Sequence, residues 1–367
     1  MTVNQVGTDA ELDELYRDLA AVDLSPLWTI TEQLLTPAPR PRAIPWLWSA
    51  ATMKPLARRA IQLVPVERGG ERRVLSLQNP GLGGLPYAVG TLWGALQCLG
   101  PREVAPAHRH SPGAIRFVLE GEGVFTTVDG DACDMQPGDL VLTPSMNWHD
   151  HVNGGDGEMF WFDGLDLPMV QALDSIFFEE YPGPGESQPE PAEHNVSERV
   201  HAGGPRYVDG AVSDVLSPRH SKLMVYRWAD TAAELDRLAA SSDEPLLSVE
   251  YADPETGASV LPTMACAAYR VRAGRRSVPM RRTGNAVHVV FTGHGSSVID
   301  GRRFDWGPGD MFVVPSWSVA EHFTDEATGE DANVFVVSDA PVLRALGLYR
   351  EQVLGAAQAV TGIFSPR

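Results

Sequence analysis

The chain has 367 residues, with 29 Lys and Arg against 48 Asp and Glu, a net charge of -19, and 43% hydrophobic residues. That apolar fraction is too high for a disordered chain, and the length suggests about two domains at roughly 150 residues each. An acidic chain without a Lys/Arg-rich run is a poor partner for nucleic acid or for an anionic membrane, since both need clustered cations.

The three cysteines, Cys98, Cys133 and Cys266, are isolated, so neither a disulfide framework nor a sulfur metal site is expected. The acidic start MTVNQVGTDAELDELYRDLA is unlike a signal peptide, and no run of about 18 apolar residues occurs, so a cytoplasmic location is expected.

From Ala10 to about Leu35, Leu12, Leu15, Tyr16, Leu19 and Leu27 recur near helical spacing. Pro37, Pro39, Pro41 and Pro45 break this pattern, and Trp46 to Val64 reads as a further helix interrupted at Pro55. Residues 1–72 are therefore expected to be a helical arm. Between Arg73 and about Asp166, short runs of Val, Leu, Phe and Thr alternate with Gly, Pro and Asp turns, the texture of an antiparallel all-β domain, assigned to 73–180. The Pro-, Gly- and Glu-rich stretch 181–206 reads as a linker, 207–341 as a second β domain, and 342–367 as a C-terminal helix.

The two β regions contain an internal repeat. EGEGVFTTVDGDACDMQPGDLVLTP from Glu120 aligns with TGHGSSVIDGRRFDWGPGDMFVVPS from Thr292. Each has a Gly, a strand, a "DG" hairpin turn, a second strand and then "PGD" before a third strand and a Pro.

His108 and His110 lie two apart on a strand, so their side chains share a face, and His149 follows the PGD-strand-Pro segment of the same repeat. Three imidazoles suit Fe, Ni, Cu or Zn better than Mg or Ca, and they leave coordination positions open for chemistry. Together Gly100, His108, His110, Gly123, Gly138, Pro144, His149 and Asn153 resemble the two short motifs of the cupin β-barrel. Those motifs place a Glu ligand about where this chain has Arg116. A guanidinium beside a dication is tolerable when an anion lies between them, so Arg116 points to an anionic substrate. In the second repeat Met280, Arg282, His288 and Ala320 occupy the registers of His108, His110, Arg116 and His149, so that barrel is expected to bind no metal.

From about Leu15 to Leu348 the chain resembles the bicupin gentisate 1,2-dioxygenases and the related salicylate and 1-hydroxy-2-naphthoate dioxygenases. The residues that carry the resemblance are VPVERGGERRVLSLQNPGLGG from Val64, LWGALQCLGPREVAPAHRHSPGAIRFVLEGEG from Leu92, WHDHVN from Trp148, FWFDGLDLP from Phe160 and GDMFVVPSW from Gly309. It implies an all-β bicupin of two antiparallel jelly-roll barrels. It further implies one Fe(II) per subunit, held by His108, His110 and His149, with O2 as co-substrate. The substrate would be a small aromatic hydroxy acid whose ring is opened, gentisate giving maleylpyruvate. Arg116, His151 and Asp163 would be the catalytic groups. Arg72, Trp93, Gln97, Arg116 and His151 would contact substrate, and the family implies a homotetramer. The alternatives are the same chemistry on salicylate or 1-hydroxy-2-naphthoate, or a non-catalytic cupin that binds an aromatic acid.

Overall fold

The structure is a computed structural model that describes residues 8–65, 68, 73–183, 185, 187–189, 191–202, 220–324 and 329–366. Residues 1–40 and 41–367 form two compact units. In the first, helix Asp9–Ala21 opens on a capping box between Thr8 and Glu11, followed by a 3-10 turn Leu27–Thr29 and a short helix Thr31–Leu34. No residue of the opening helix is buried within its own unit, and Trp28 donates to the Tyr16 hydroxyl at 3.2 Å.

The second unit contains two barrels, each built from two facing sheets. In the first, a six-stranded sheet runs in the order Val225–Tyr226, Leu140–Thr143, Ala114–Glu120, Met159–Leu165, Trp93–Leu99, Val74–Ser76. Opposite it stand Phe178–Glu180, Val104–His110, His149–Asn153, Val124–Val128 and Asp131–Met135. The second barrel repeats the plan with Trp46–Trp48, Met311–Val314, Ala286–Thr292, Ala332–Ser338, Ala265–Val271 and Leu246–Tyr251 against a sheet containing Met280–Arg282, Ala320–Phe323, Gly295–Ile299 and Arg302–Trp306.

Strand Ala114–Glu120 is buried on both faces, and alternation divides its side chains. Val118 joins Trp161, Leu99 and Val141 in one core cluster, while Ile115, Phe117 and Leu119 join a larger cluster drawn from both barrels. There Phe117 stacks on Phe335 at 4.4 Å, so the two six-stranded sheets share one apolar layer.

The repeated DG and PGD segments have a physical reason. Asp129–Gly130 and Asp300–Gly301 all have positive φ, the conformation that a two-residue hairpin turn requires. Gly138 and Gly309 also have positive φ, at +88° and +83°, and each lies against a helix that leads into the other barrel. A Cβ on Gly138 would lie 2.5 Å from Trp228, and one on Gly309 would lie 3.0 Å from Ala50. The following aspartates then cap those helices. Asp139 accepts from the Trp228 amide at 2.9 Å at the start of helix Trp228–Ser241, and Asp310 accepts from the Ala50 amide at 2.7 Å at the start of helix Ala50–Leu63. The strands before these helices cross over in the same way: Trp46–Trp48 edges the second barrel and Val225–Tyr226 edges the first.

Four expectations are corrected. Trp46–Trp48 is a strand rather than the start of a helix, because Leu47 alternates into the second barrel's core between two aromatic neighbours. The helix after it runs through Pro55 instead of breaking there. At the C-terminus only Ala340–Ala345 is helical; Gly347, at φ +69°, ends that turn, and Glu351–Val353 and Gly362–Ile363 then satisfy their backbone groups as edge strands of the second barrel. Within 181–206, helix Val196–His201 is docked rather than free: Arg227 bridges Glu198 and Asp139, and Asn195 accepts from the Asp134 amide.

Candidate metal centre and substrate pocket

His108 and His149 are directly paired across adjacent strands, and His110 follows two residues along. The three rings lie 4.4, 4.8 and 5.6 Å apart by centroid, and their ligand atoms fall within 4.8 Å of one another. Among the described residues this is the one group of three metal-ligating side chains so placed.

Each ring is turned by a backbone carbonyl at its Nδ1: Pro106 for His108 at 3.1 Å, Pro112 for His110 at 2.7 Å and Asn147 for His149 at 3.0 Å. An imidazole that donates through Nδ1–H presents the lone pair of Nε2, the form a metal needs. His149 is fully buried and its Nε2 has no protein partner. Burial, then the charge of Arg116 and the neighbouring imidazoles, holds its pKa well below the ordinary histidine range. The donor set therefore fits a first-row transition ion and leaves positions for ligands from solution.

Arg116 and Asp163 face each other across adjacent strands inside the same barrel. Arg116 is 2% exposed; its Nη1 donates to the Thr143 hydroxyl, its Nε has no hydrogen-bond partner, and the nearest carboxylate, Asp163, is 3.9 Å away. Burial lowers the pKa of Arg116 and raises that of Asp163, whose Oδ1 is also unpartnered. A buried guanidinium with so few partners is costly unless an anion completes it.

His151 lies two residues beyond His149 on the same strand and so faces the same interior, with 6.2 Å between the ring centroids. Its Nδ1 is 2.8 Å from the Thr126 hydroxyl, and burial keeps it neutral to well below the usual pH. Trp93, Ala95, Gln97 and Leu99 alternate onto one face of their strand, with Ala95 paired to Asp163 and Gln97 to Trp161. The fold thus brings Trp93, Gln97, Arg116, His151 and Asp163 into the barrel that holds the triad. Arg72 lies outside the described residues. Its neighbour Arg73 is committed elsewhere, donating to both Glu103 oxygens and to the Val64 carbonyl.

Sequence reasoning missed Trp161, Thr126 and Phe178. Trp161 is fully buried with an unpartnered Nε1 and packs on His151 at 5.4 Å; its position two before Asp163 on one strand was the available signal. Phe178 stacks on His108 at 5.4 Å from an edge strand, a contact no local motif could show. Asn153, the end of the second motif, holds the barrel together by donating to the carbonyls of Gly100 and Gly157.

A cupin-domain family model matches residues 95–165. The chain is 46% identical to a gentisate 1,2-dioxygenase of Streptomyces sp, over 92% of this chain and 94% of that protein. It is 36% identical to a 5-aminosalicylate 1,2-dioxygenase of Comamonas sp, over 96% and 94%. The crystal structure of a salicylate 1,2-dioxygenase from Pseudaminobacter salicylatoxidans superposes with a TM-score of 0.86 at 38% identity, covering 96% of this chain and all of that one, and the same enzyme has been crystallised with gentisate. With two cupin barrels in one chain and relatives of this identity along nearly its whole length, the protein belongs to the bicupin dioxygenase family of the gentisate and salicylate 1,2-dioxygenases.

Proposed function

We propose that this enzyme is an Fe(II)-dependent gentisate 1,2-dioxygenase that converts gentisate and O2 into maleylpyruvate, both oxygen atoms entering the product. The observation that carries the reading is the buried, under-partnered Arg116 in the barrel that holds the three-histidine cluster. The names of the relatives support the substrate class.

His108, His110 and His149 would hold the iron. Fe(II), when bound, supplies the binding positions and the electrons that let a chelated hydroxy acid react with O2. Arg116 receives the substrate carboxylate, an anion that completes its buried charge. Asp163 keeps the guanidinium oriented across the strand pair. His151, oriented at Nδ1 by Thr126, is placed to move a proton to or from a substrate hydroxyl. Trp93 and Gln97 bound the ring on the facing strand, with Arg72 as a second cation for the acid. Ala95, fully buried and paired with Asp163, narrows the pocket by a methyl relative to glycine. The same reading, from the family resemblance, makes the protein a cytoplasmic homotetramer. Among the described residues no helix is long and apolar enough to cross a membrane.

The test is anaerobic loading with Fe(II), addition of gentisate, admission of air, and simultaneous measurement of oxygen uptake and maleylpyruvate absorbance, with His108→Ala as control. Matched uptake and product, absent in the control, is the expected result. Uptake only with salicylate or 1-hydroxy-2-naphthoate would keep the chemistry and replace the substrate. No uptake with any of them would favour a non-catalytic aromatic-acid binder.

A further inference from the structure

Two equivalent crossed contacts lock the barrels together, and one of them also holds the loop that follows His110. Strand register fixes the equivalence: Leu165 pairs with Trp93 and Ala114, as Ser338 pairs with Ala265 and Ala286. Asp166 and Asp339 therefore follow matching strands. Thr91 and Thr263 stand two residues before matching strands, and Gly113 and Asn285 stand one before. Asp166 of the first barrel accepts from the Thr263 hydroxyl of the second, and Asp339 of the second accepts from the Thr91 hydroxyl of the first.

The other oxygen of each carboxylate turns back into its own barrel. Asp166 Oδ1 accepts from the Gly113 amide at 2.9 Å, and the Asp166 amide donates to the Gly113 carbonyl at 3.4 Å. Asp339 Oδ1 accepts from the Asn285 amide at 2.8 Å. Both aspartates are buried and stand where a side chain usually caps the helix that follows, yet neither bonds its own helix. Their carboxylates are spent on the contact between barrels instead.

The two locks differ in what they hold. Gly113 directly follows Pro112, whose carbonyl orients His110 at 2.7 Å, and with no side chain of its own it reaches Thr263 through Asp166. In the second lock Asn285 adds its own bonds to Thr91 at 2.9 Å and to Asp339 at 3.1 Å, and the loop there follows Arg282. An imidazole ligand binds a metal only as well as the acceptor on its other nitrogen holds it in place.

We propose that Asp166 is a positioning residue for the metal centre: through Gly113 it fixes the Pro112 carbonyl that orients His110, and through Thr263 it braces that loop against the second barrel. This inference rests on the reading of the three histidines as a metal site, and it gives the second barrel a part in holding the metal.

The test is Co(II) titration of the metal-stripped full chain, following the visible absorption of the bound ion and its Kd by competition. Asp166→Ala is expected to weaken Co(II) binding about tenfold and to change the absorption band. Asp166→Asn, whose Oδ1 can still accept from Gly113, should bring affinity back to within about threefold of the parent. Asp339→Ala should lower the urea midpoint and leave Co(II) affinity unchanged. If D166A does not fold, Thr263→Val, which removes only the hydroxyl between barrels, carries the test with an expected several-fold loss. Parent-like binding in D166A or T263V, an equal loss in D339A, or a D166N no better than D166A overturns the proposal and leaves the metal site standing. A parent chain that binds no Co(II) overturns the metal reading and this inference with it.

Discussion

The two barrels share a frame down to individual turns and differ in what fills them. In one interior three imidazoles converge beside Arg116; in the other the same registers carry Met280, Arg282 and Ala320. One pair survives in both: His151 with Thr126 at 2.8 Å in the first, His322 with Ser297 at 2.7 Å in the second. Turn chemistry and helix capping therefore specify the barrel, and the chemistry rests on a few interior side chains that can be exchanged without loss of the frame.

The largest expected effect comes from making the first interior more like the second. On the proposed reading, His149→Ala should abolish iron binding at the cluster and reduce turnover by about 10^4-fold or more, because two imidazoles no longer enclose an ion. Metal analysis after anaerobic loading, with circular dichroism to confirm the fold, checks it; retained iron with full activity would place the metal elsewhere. The converse triple change, Met280→His, Arg282→His and Ala320→His, should add a second equivalent of metal if register alone separates the barrels.

Arg116→Met comes next. Removing the guanidinium should lower kcat/KM by about 10^2 to 10^3-fold, the scale of losing a charge-assisted pair to a buried carboxylate. The substrate-free protein should meanwhile be no less stable, since an under-partnered buried cation gives way to an apolar chain of similar length. Steady-state kinetics together with urea unfolding separates these effects. A variant that unfolds early would make Arg116 a structural residue rather than an anion receptor.

Much of this frame was legible because it is local. The DG turns and the PGD segments need particular residues at particular φ, and His108, His110 and His149 sit at fixed spacings within one repeat. The strand swap was hidden: nothing near Trp46 says that Leu47 belongs to a core built from residues from Val271 onward. The tail read as a helix because its apolar residues fall near helical spacing, but edge pairing with Met280–Arg282 and Arg302–Arg303 decides its conformation. Phe178 beside His108 was beyond reach for the same reason: the contact depends on which strand forms the edge.

The interlocking turns allow the frame itself to be compared. Gly138→Ala forces a Cβ to 2.5 Å from the Trp228 side chain at a positive φ, whereas in Gly309→Ala the neighbours are the Ala50 methyl at 3.0 Å and the flexible Lys54 side chain. G138A should lose about 3 kcal/mol and G309A about 1–2 kcal/mol, the left-handed backbone accounting for most of the smaller loss. Urea midpoints at a common slope measure the difference; equal losses would mean that Trp228 moves aside freely.

The smallest effect concerns His322, which stands in the second barrel where His151 stands in the first. Burial, with Arg282 nearby, pushes the His322 pKa down to about 4 from an ordinary value of 6.5. The folded chain then binds fewer protons at this group than the unfolded chain, so its contribution to stability is intact above about pH 6.5 and is lost as the pH falls towards 4. Over that window the loss approaches about 3 kcal/mol for this group alone. His322→Asn should therefore be less stable than the parent at pH 7, through the lost Ser297 contact, and should close much of that gap at pH 4.5. Parallel unfolding curves at the two pH values decide it. A gap that stays constant would mean that His322 takes up its proton in the folded protein as readily as in the unfolded chain, with Ser297 or water accommodating the charge.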